Sequence, residues 1–205
     1  MRPIWLGLAA FALAATAAAA QTATPAKKEA SAIFAGGCFW CVESDFDKVK
    51  GVISTTSGYT GGHVANPTYH QVSAGGTGHA EAVKIVYDPA QVTYEKLLRV
   101  FWHNIDPLAK DRQFCDSGNQ YRSAIFVQGA EQRSLAEKSK KAIEASGRFK
   151  APIQTQIVDA GPFYPAEDYH QDFYLNNPTK YKFYRWNCGR DQRLQELWGK
   201  DRGEG

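Results

Sequence analysis

The segment SAIFAGGCFWCVESD, residues 31–45, changes secondary structure within one short run. Ala32-Ile33-Phe34-Ala35 is an apolar stretch of strand type, and Gly36-Gly37 ends it, since glycines accept backbone angles that a side chain forbids. From Cys38 onward, Val42, Phe46 and Val49 recur at helical spacing, which predicts strand, tight turn and helix in succession. Cys38 then falls in the first helical turn, followed by Phe39, Trp40 and a second thiol, Cys41. Free N–H groups and the positive end of a helix dipole favour a thiolate, drawing a thiol pKa from about 8.5 toward neutrality. The expectation is a nucleophilic Cys38.

Downstream, residues 51–56 (GVISTT) read as a second strand. The glycine-rich residues 57–62 and all that follows to Gly78 read as one long coil, punctuated by His63 and Tyr69. Residues 81–87 (EAVKIVY) alternate as a central strand, stopped by Asp88-Pro89. Glu81 enters the sheet from the glycine coil, where burial would raise its pKa and let it hold a proton at neutral pH. The plainer alternative is an edge-strand glutamate in water. Thr93 caps a helix with Leu97, Leu98, Phe101 and Trp102 inward. Residues 106–121 are irregular and polar, and residues 123–128 form a strand. An amphipathic helix over 130–146 follows, with a solvated charged face that pairs Glu137 with Lys141. A last strand at 153–158, a helix at 167–176 and an aromatic, basic tail from about residue 179 complete the chain; Leu194, Leu197 and Trp198 would dock a short helix. This order predicts an α+β domain, a two-layer α/β sandwich of ferredoxin-like (split βαβ) character with long coils.

The chain has 205 residues and a net charge of +3. That near-neutral balance argues against nucleic acid or an acidic membrane as the main partner. Residues 1–20 carry one cation, Arg2, then an apolar core ending Ala18-Ala19-Ala20, the pattern of a cleaved secretory signal peptide. Residues 21–30 read as a disordered polar tether, and residues 31–205 as a single catalytic domain. The expected location is the periplasm or the cell exterior, after cleavage near Ala20.

Four cysteines fall in the expected mature chain: Cys38, Cys41, Cys115 and Cys188. Two structural disulfides are the plain expectation for an exported protein. A Cys-x-x-Cys at a helix start instead closes a very short loop, which is characteristic of redox-active pairs. Zinc is not expected, because Cys115 and Cys188 are single and far apart in sequence. Haem attachment fails because Val42, not histidine, follows Cys41.

Taken together, GGCFWCVE (36–43), NPTY (66–69), GHAEAV (78–83), CDSGNQYRSAIF (115–126) and YPAEDYHQDF (164–173) resemble the A-type peptide methionine sulfoxide reductases. The resemblance implies a two-layer α/β sandwich with long coils, and it implies roles. Cys38 would attack the sulfoxide sulfur and Glu81 protonate its oxygen. Tyr69 and Tyr121 would hold that oxygen, and Asp116 would be the site aspartate. Phe39 and Trp40 would receive the methyl group. The implied substrate is methionine-S-sulfoxide, free or in oxidised proteins, with no cofactor beyond an external thiol reductant such as a thioredoxin-like protein or dithiothreitol. A monomer is expected.

The chemistry suits these residue types. A sulfoxide sulfur is a poor electrophile until its oxygen is protonated, so a thiol is needed on one side and acid donors on the other. Aromatic faces suit the sulfur's methyl group. The pattern departs at the recycling thiol, where Tyr181-Lys182 stands in place of the family's cysteine. Cys188, on what would be a flexible tail, and Cys41 are level candidates to resolve the sulfenic acid; Cys115 follows, as a relay partner of Cys188. The rival readings are a thiol–disulfide oxidoreductase using Cys38 and Cys41, and a disulfide-stapled binding module.

Overall fold

In the computed structural model, the described residues are 29–201 and 203. The expected signal peptide and the tether up to residue 28 lie outside them. Strand β1 (Ala30–Gly36) begins at the last residue assigned to that tether, where Ala30 already pairs with Tyr87.

The predicted strand–turn–helix is present. Gly37 turns the chain at φ +85°, and helix α1 (Phe39–Phe46) follows, ending short of Val49. Cys38 is the N-cap rather than a first-turn residue. Strand β2 (Val52–Thr60) continues through Ser57-Gly58-Tyr59, where the sequence predicts coil. Gly58 is there because a Cβ would strike the Tyr164 carbonyl of the next strand, a close approach that glycine permits inside a sheet.

The expected long coil contains helix α2 (Tyr69–Ala74), started by a capping box in which Thr68 and Gln71 satisfy each other's backbone N–H. Strand β3 (Ala80–Tyr87) and helix α3 (Tyr94–His103), capped by Thr93, fall as predicted. The irregular stretch holds a minimal ladder, β4 (Arg112–Gln113) with β5 (Asp116–Ser117), and a 3₁₀ turn at Asn119–Tyr121. Strand β6 (Ser123–Val127), helix α4 (Ala130–Ala145), strand β7 (Gln156–Asp159) and strand β8 (Phe163–Pro165) follow.

The sheet order is β7-β6-β1-β3-β2-β8. Every neighbouring pair is antiparallel except β6 with β7. α1 and α3 form the crossovers among the four central strands, which leaves β1 and β3 innermost. The mixed α/β architecture expected from the sequence is therefore found, and the two innermost strands carry Cys38 and Glu81 into the site.

Side-chain alternation explains the layers. Ala32, Phe34, Val83, Ile85, Ile125 and Val127 share one apolar cluster with residues of α1, α3 and α4. At its centre Phe34 lies 4.9 Å from Phe101 and 5.4 Å from Phe46, ring to ring. Burying an aromatic side chain of this kind contributes about 1.5–3 kcal/mol. On the opposite face are Ile33, Ala35, Ala80, Ala82, Ala124 and Phe126, against which Phe163 packs.

The C-terminal part differs most from expectation. The helix predicted over 167–176 is broken into a 3₁₀ turn, Asp168–His170, and the short α5 (Phe173–Asn176), because Asp172 adopts φ +52°. What reads as a flexible tail is two further helices, α6 (Pro178–Asn187) and α7 (Arg190–Trp198). Leu194, Leu197 and Trp198 of α7 dock as predicted, and Trp198 Nε1 donates to the Ile105 carbonyl at 3.1 Å. No helix among the described residues is long and apolar enough to cross a membrane.

Candidate active site

The turn after β1 presents Cys38 at the open end of α1, and the neighbouring strand β3 presents Glu81 beneath the same helix end. Glu81 is only 3% exposed, and its Oε2 accepts the Phe39 N–H at 3.1 Å. Burial pushes this carboxyl up to about 8, and the Asp116 and Cys41 charges add to the rise against the Phe39 hydrogen bond. The residue is a buried acid, not the edge glutamate of the plainer reading.

Cys38 departs from the expectation. Its sulfur is buried, which pushes the thiol pKa well above its ordinary value, and the first free amide of α1 is committed to Glu81. Burial is the main cause, followed by the hydrogen bond to Cys41 and the charges of Cys41, Glu81 and Asp116. Cys41 moves the other way. Its pKa falls because it accepts the Cys38 hydrogen bond, and Arg190 and Arg185 add their positive charge against the cost of burial. Within the pair, the charged form is therefore favoured on Cys41 over Cys38.

Around Cys38 lies a cavity of about 210 Å³, which Glu81, Tyr69, Asp116 and Tyr121 all line. Phe39, Trp40 and Tyr184 supply its aromatic surface. All seven positions anticipated as catalytic or substrate-binding are thus brought together. A larger depression of about 630 Å³, beside Tyr87, Thr93 and Glu131, contains neither a thiol nor a buried acid, so chemistry rather than size marks the site.

Burial raises the pKa of both Tyr69 and Tyr121, which keeps them as hydroxyl donors. Tyr69 is held at the start of α2 by its N–H, which donates to Glu167 Oε1 at 2.8 Å, while Tyr59 Oη donates to Glu167 Oε2 at 2.8 Å. Trp40 lies parallel to Phe173 with centroids 3.7 Å apart, and its Nε1 donates to His170 Nδ1 at 3.1 Å. Burial raises Asp116 above its ordinary value, and a hydrogen bond from the Tyr184 hydroxyl opposes that rise.

Tyr184, Glu167, His170 and Phe173 have no role in the sequence reading. The last three lie within the YPAEDYHQDF motif, which carries the resemblance without saying what each residue does. Tyr184 had no signal in the sequence beyond being one of several tail aromatics.

Cys115 and Cys188 are joined in a disulfide, while Cys38 and Cys41 are free and buried. Among the described residues, Cys115, Asp116 and Cys188 are the cluster whose ligand atoms lie close enough for a metal, all within 4.8 Å. With the two sulfurs bonded to each other, that cluster has no thiolate to offer.

The comparisons with known proteins agree with this geometry. A family model described as "Peptide methionine sulfoxide reductase" matches residues 30–202. The peptide methionine sulfoxide reductase MsrA of Bacillus licheniformis is 51% identical over 179 residues, covering 87% of this chain and 99% of that protein. Among solved structures, reduced Mxr1 from Saccharomyces cerevisiae matches with a TM-score of 0.70 at 30% identity, covering 76% of this chain and 89% of that one. Methionine sulfoxide reductase A of Corynebacterium diphtheriae matches with a TM-score of 0.65 at 35% identity, covering 76% and 77% of the two chains. On the family match over almost all of the described residues, this chain belongs to the peptide methionine sulfoxide reductases, on the branch that bears the name MsrA.

Proposed function

We propose that this reductase converts methionine-S-sulfoxide to methionine with Cys38 as nucleophile, Glu81 as acid and Cys41 as resolving thiol. The observation that carries the assignment is the buried Glu81 carboxyl, raised to about 8, sharing one small cavity with the Cys38 thiol. A group of that pKa holds its proton at neutral pH and can give it up in the reaction.

The substrate's methyl group rests on Phe39 and Trp40, and its oxygen faces Glu81, Tyr69 and Tyr121. Cys38 passes its proton to the Cys41 thiolate, to which it is hydrogen-bonded, and its sulfur attacks the sulfoxide sulfur. Glu81 protonates the oxygen, giving an adduct in which the substrate sulfur carries both the hydroxyl and the Cys38 sulfur. Transfer of that hydroxyl to the Cys38 sulfur breaks both bonds to the substrate sulfur, releases methionine and leaves Cys38 as a sulfenic acid. Cys41 then displaces that hydroxyl, which departs as water with the Cys41 proton, and a Cys38–Cys41 disulfide forms. A dithiol donor supplies two electrons and two protons, restoring the Cys38 thiol and the Glu81 proton.

Cys41 is favoured over Cys188 and Cys115 by proximity. Its N–H donates to the Cys38 carbonyl at 3.1 Å, whereas Cys115 and Cys188 are bonded to each other. A dithiol protein of the thioredoxin type is the reductant proposed. An exported location is supported by the leader-like residues 1–20 and by the Cys115–Cys188 disulfide, which suits an oxidising compartment.

Reaction as a general disulfide oxidoreductase is disfavoured, because Cys38 and Cys41 are both buried and a protein disulfide would have to pass Phe39 and Trp40. The deciding experiment is turnover with the two resolved sulfoxide epimers and dithiothreitol. Activity on the S epimer, lost in Cys38→Ser, is expected. Activity on neither epimer refutes the reading, and insulin reduction at a comparable rate would favour the rival.

A further inference from the structure

The Cys115–Cys188 disulfide lies against the active-site wall. Cys115 directly precedes Asp116, which lines the cavity. Cys188 is the C-cap of α6 and donates its N–H to the Tyr184 carbonyl at 2.9 Å, so Tyr184 lies one helical turn before it. The Tyr184 hydroxyl donates to Asp116 Oδ2. Two links, one covalent and one a hydrogen bond, therefore tie neighbouring residues of one loop to successive turns of one helix. Arg190 lies 4.4 Å over the Phe114 ring, and Arg193 pairs with Asp106 at 2.8 Å, so the attachment extends along both chain segments.

We propose that the Cys115–Cys188 disulfide is a reducible brace that holds Tyr184 on Asp116, and that Tyr184 is a positioning residue for the proton on Glu81. The proposal rests on the reading that Glu81 delivers that proton. Tyr184 stabilises the charged form of Asp116 by donating a hydrogen bond, and the Asp116 charge is one of the influences that keep Glu81 protonated. Releasing the brace weakens the Tyr184 contact and, through Asp116, the hold on the Glu81 proton.

The brace is placed to be opened from outside. Cys115 is exposed, and Cys188 lines a surface depression of about 420 Å³ bounded by Leu108, Phe114 and Arg193. A dithiol reductant can attack there. The Cys115–Cys188 bond breaks, each sulfur gains one electron and one proton, and the dithiol leaves as its own disulfide. The dithiol class that recycles Cys38 can thus also set the state of the wall.

The test compares the mature chain, with its Cys115–Cys188 disulfide verified by thiol counting, against Cys115→Ser/Cys188→Ser, Tyr184→Phe and the triple variant. Single-turnover reduction of methionine-S-sulfoxide is followed across pH, and melting temperatures confirm that each variant folds. Tyr184→Phe keeps the ring and the disulfide. It should lower the second-order rate roughly tenfold, as expected for losing a hydrogen bond to a charged group. The alkaline limb of its profile should move to lower pH by about half a unit or more. The double serine variant should shift the same limb in the same direction, and the triple variant should be no worse than Tyr184→Phe alone, because both changes act through one contact.

Additive effects, or an unmoved alkaline limb in either variant, overturn the proposal. So does a double serine variant that is normal in single turnover yet unable to cycle, since that would make the disulfide an electron relay. Failure of the unaltered chain in single turnover would instead count against the assigned reaction.

Discussion

Glu81 and Phe39 are joined by a single hydrogen bond, 3.1 Å from the Phe39 amide to Glu81 Oε2, and that contact divides the labour of the site. It engages the first free amide of α1, which would otherwise favour a Cys38 thiolate. It also anchors the buried acid within the same cavity as the sulfur. Burial thus favours the protonated form of both nucleophile and acid, and within the thiol pair the charge is favoured on Cys41 rather than Cys38.

Glu81→Gln keeps an acceptor for the Phe39 amide and removes the proton. The second-order rate should fall about 10²–10⁴-fold. In the unaltered enzyme the rate should decline as pH rises through about 8, where Glu81 ionises. Stability should fall with rising pH as well. The unfolded chain ionises this glutamate from about its ordinary 4.5, whereas the folded chain holds the proton to about 8, so folding loses stability as pH rises across that window. Urea unfolding should find Glu81→Gln more stable than the unaltered chain at pH 9, by on the order of a few kcal/mol relative to the difference at pH 4. A pH-independent difference would refute the buried-acid assignment.

Cys41→Ser separates attack from recycling. Quenched single-turnover assays should still yield one methionine per chain, more slowly, because the thiolate that accepts the Cys38 proton is gone. Steady turnover with a dithiol protein should stop, and mass spectrometry should find Cys38 as a persistent sulfenic acid or its adduct. Undiminished cycling in this variant would move the resolving role to the Cys115–Cys188 pair.

Much of this was legible in the sequence because it is local. Gly36-Gly37 before Cys38 announces a turn, and the alternation of residues 81–87 announces a strand. Relations between distant segments were not legible. That Tyr184 reaches Asp116, or that Trp40 stacks on Phe173, depends on how α5 and α6 return to α1, which no spacing encodes. Two local signals were present but misread. Thr68-x-x-Gln71 is a capping box inside a segment taken for coil, and Gly58 marks a close strand approach rather than a break. The pKa of Cys38 departs from the helix-end expectation for a physical reason: the sulfur is buried and faces Cys41, Glu81 and Asp116, which no local spacing reveals, and Glu81 holds the first free amide of the helix.

Glu167→Ala should act on Tyr69 without touching the sulfur. Burial raises Glu167, but the hydrogen bonds it accepts, from the Tyr69 amide first and then the Tyr59 hydroxyl, more than offset that and hold it ionised. Losing both leaves the Tyr69 amide and the Tyr59 hydroxyl without their acceptor. The expected result is a rise in KM of roughly tenfold and a loss of about 1.5–3 kcal/mol of stability. Glu167→Gln, which retains a carbonyl acceptor, should recover part of both. An unchanged KM in the alanine variant would show that α2 positions Tyr69 unaided.

Gly37→Ala tests the turn that places Cys38, and Gly75→Ala supplies its control. Both glycines have positive φ, +85° and +83°, so a side chain costs about 1–3 kcal/mol in backbone strain at either position. Only Gly37 is also enclosed: an added Cβ would lie 2.5 Å from Gln113 Cβ, whereas nothing lies within 4 Å of one at Gly75. Gln113 cannot retreat easily, because it is buried and its amide group both accepts the Asp106 N–H at 2.8 Å and donates to the Asp106 carbonyl at 2.7 Å. Urea unfolding should therefore find Gly37→Ala about 1–3 kcal/mol less stable than Gly75→Ala, the difference being the packing clash. Activity should divide the two variants further, since relief of the clash must move the turn and with it Cys38. Equal stabilities would mean that the turn tolerates a side chain, and that glycine at position 37 serves only the backbone angle.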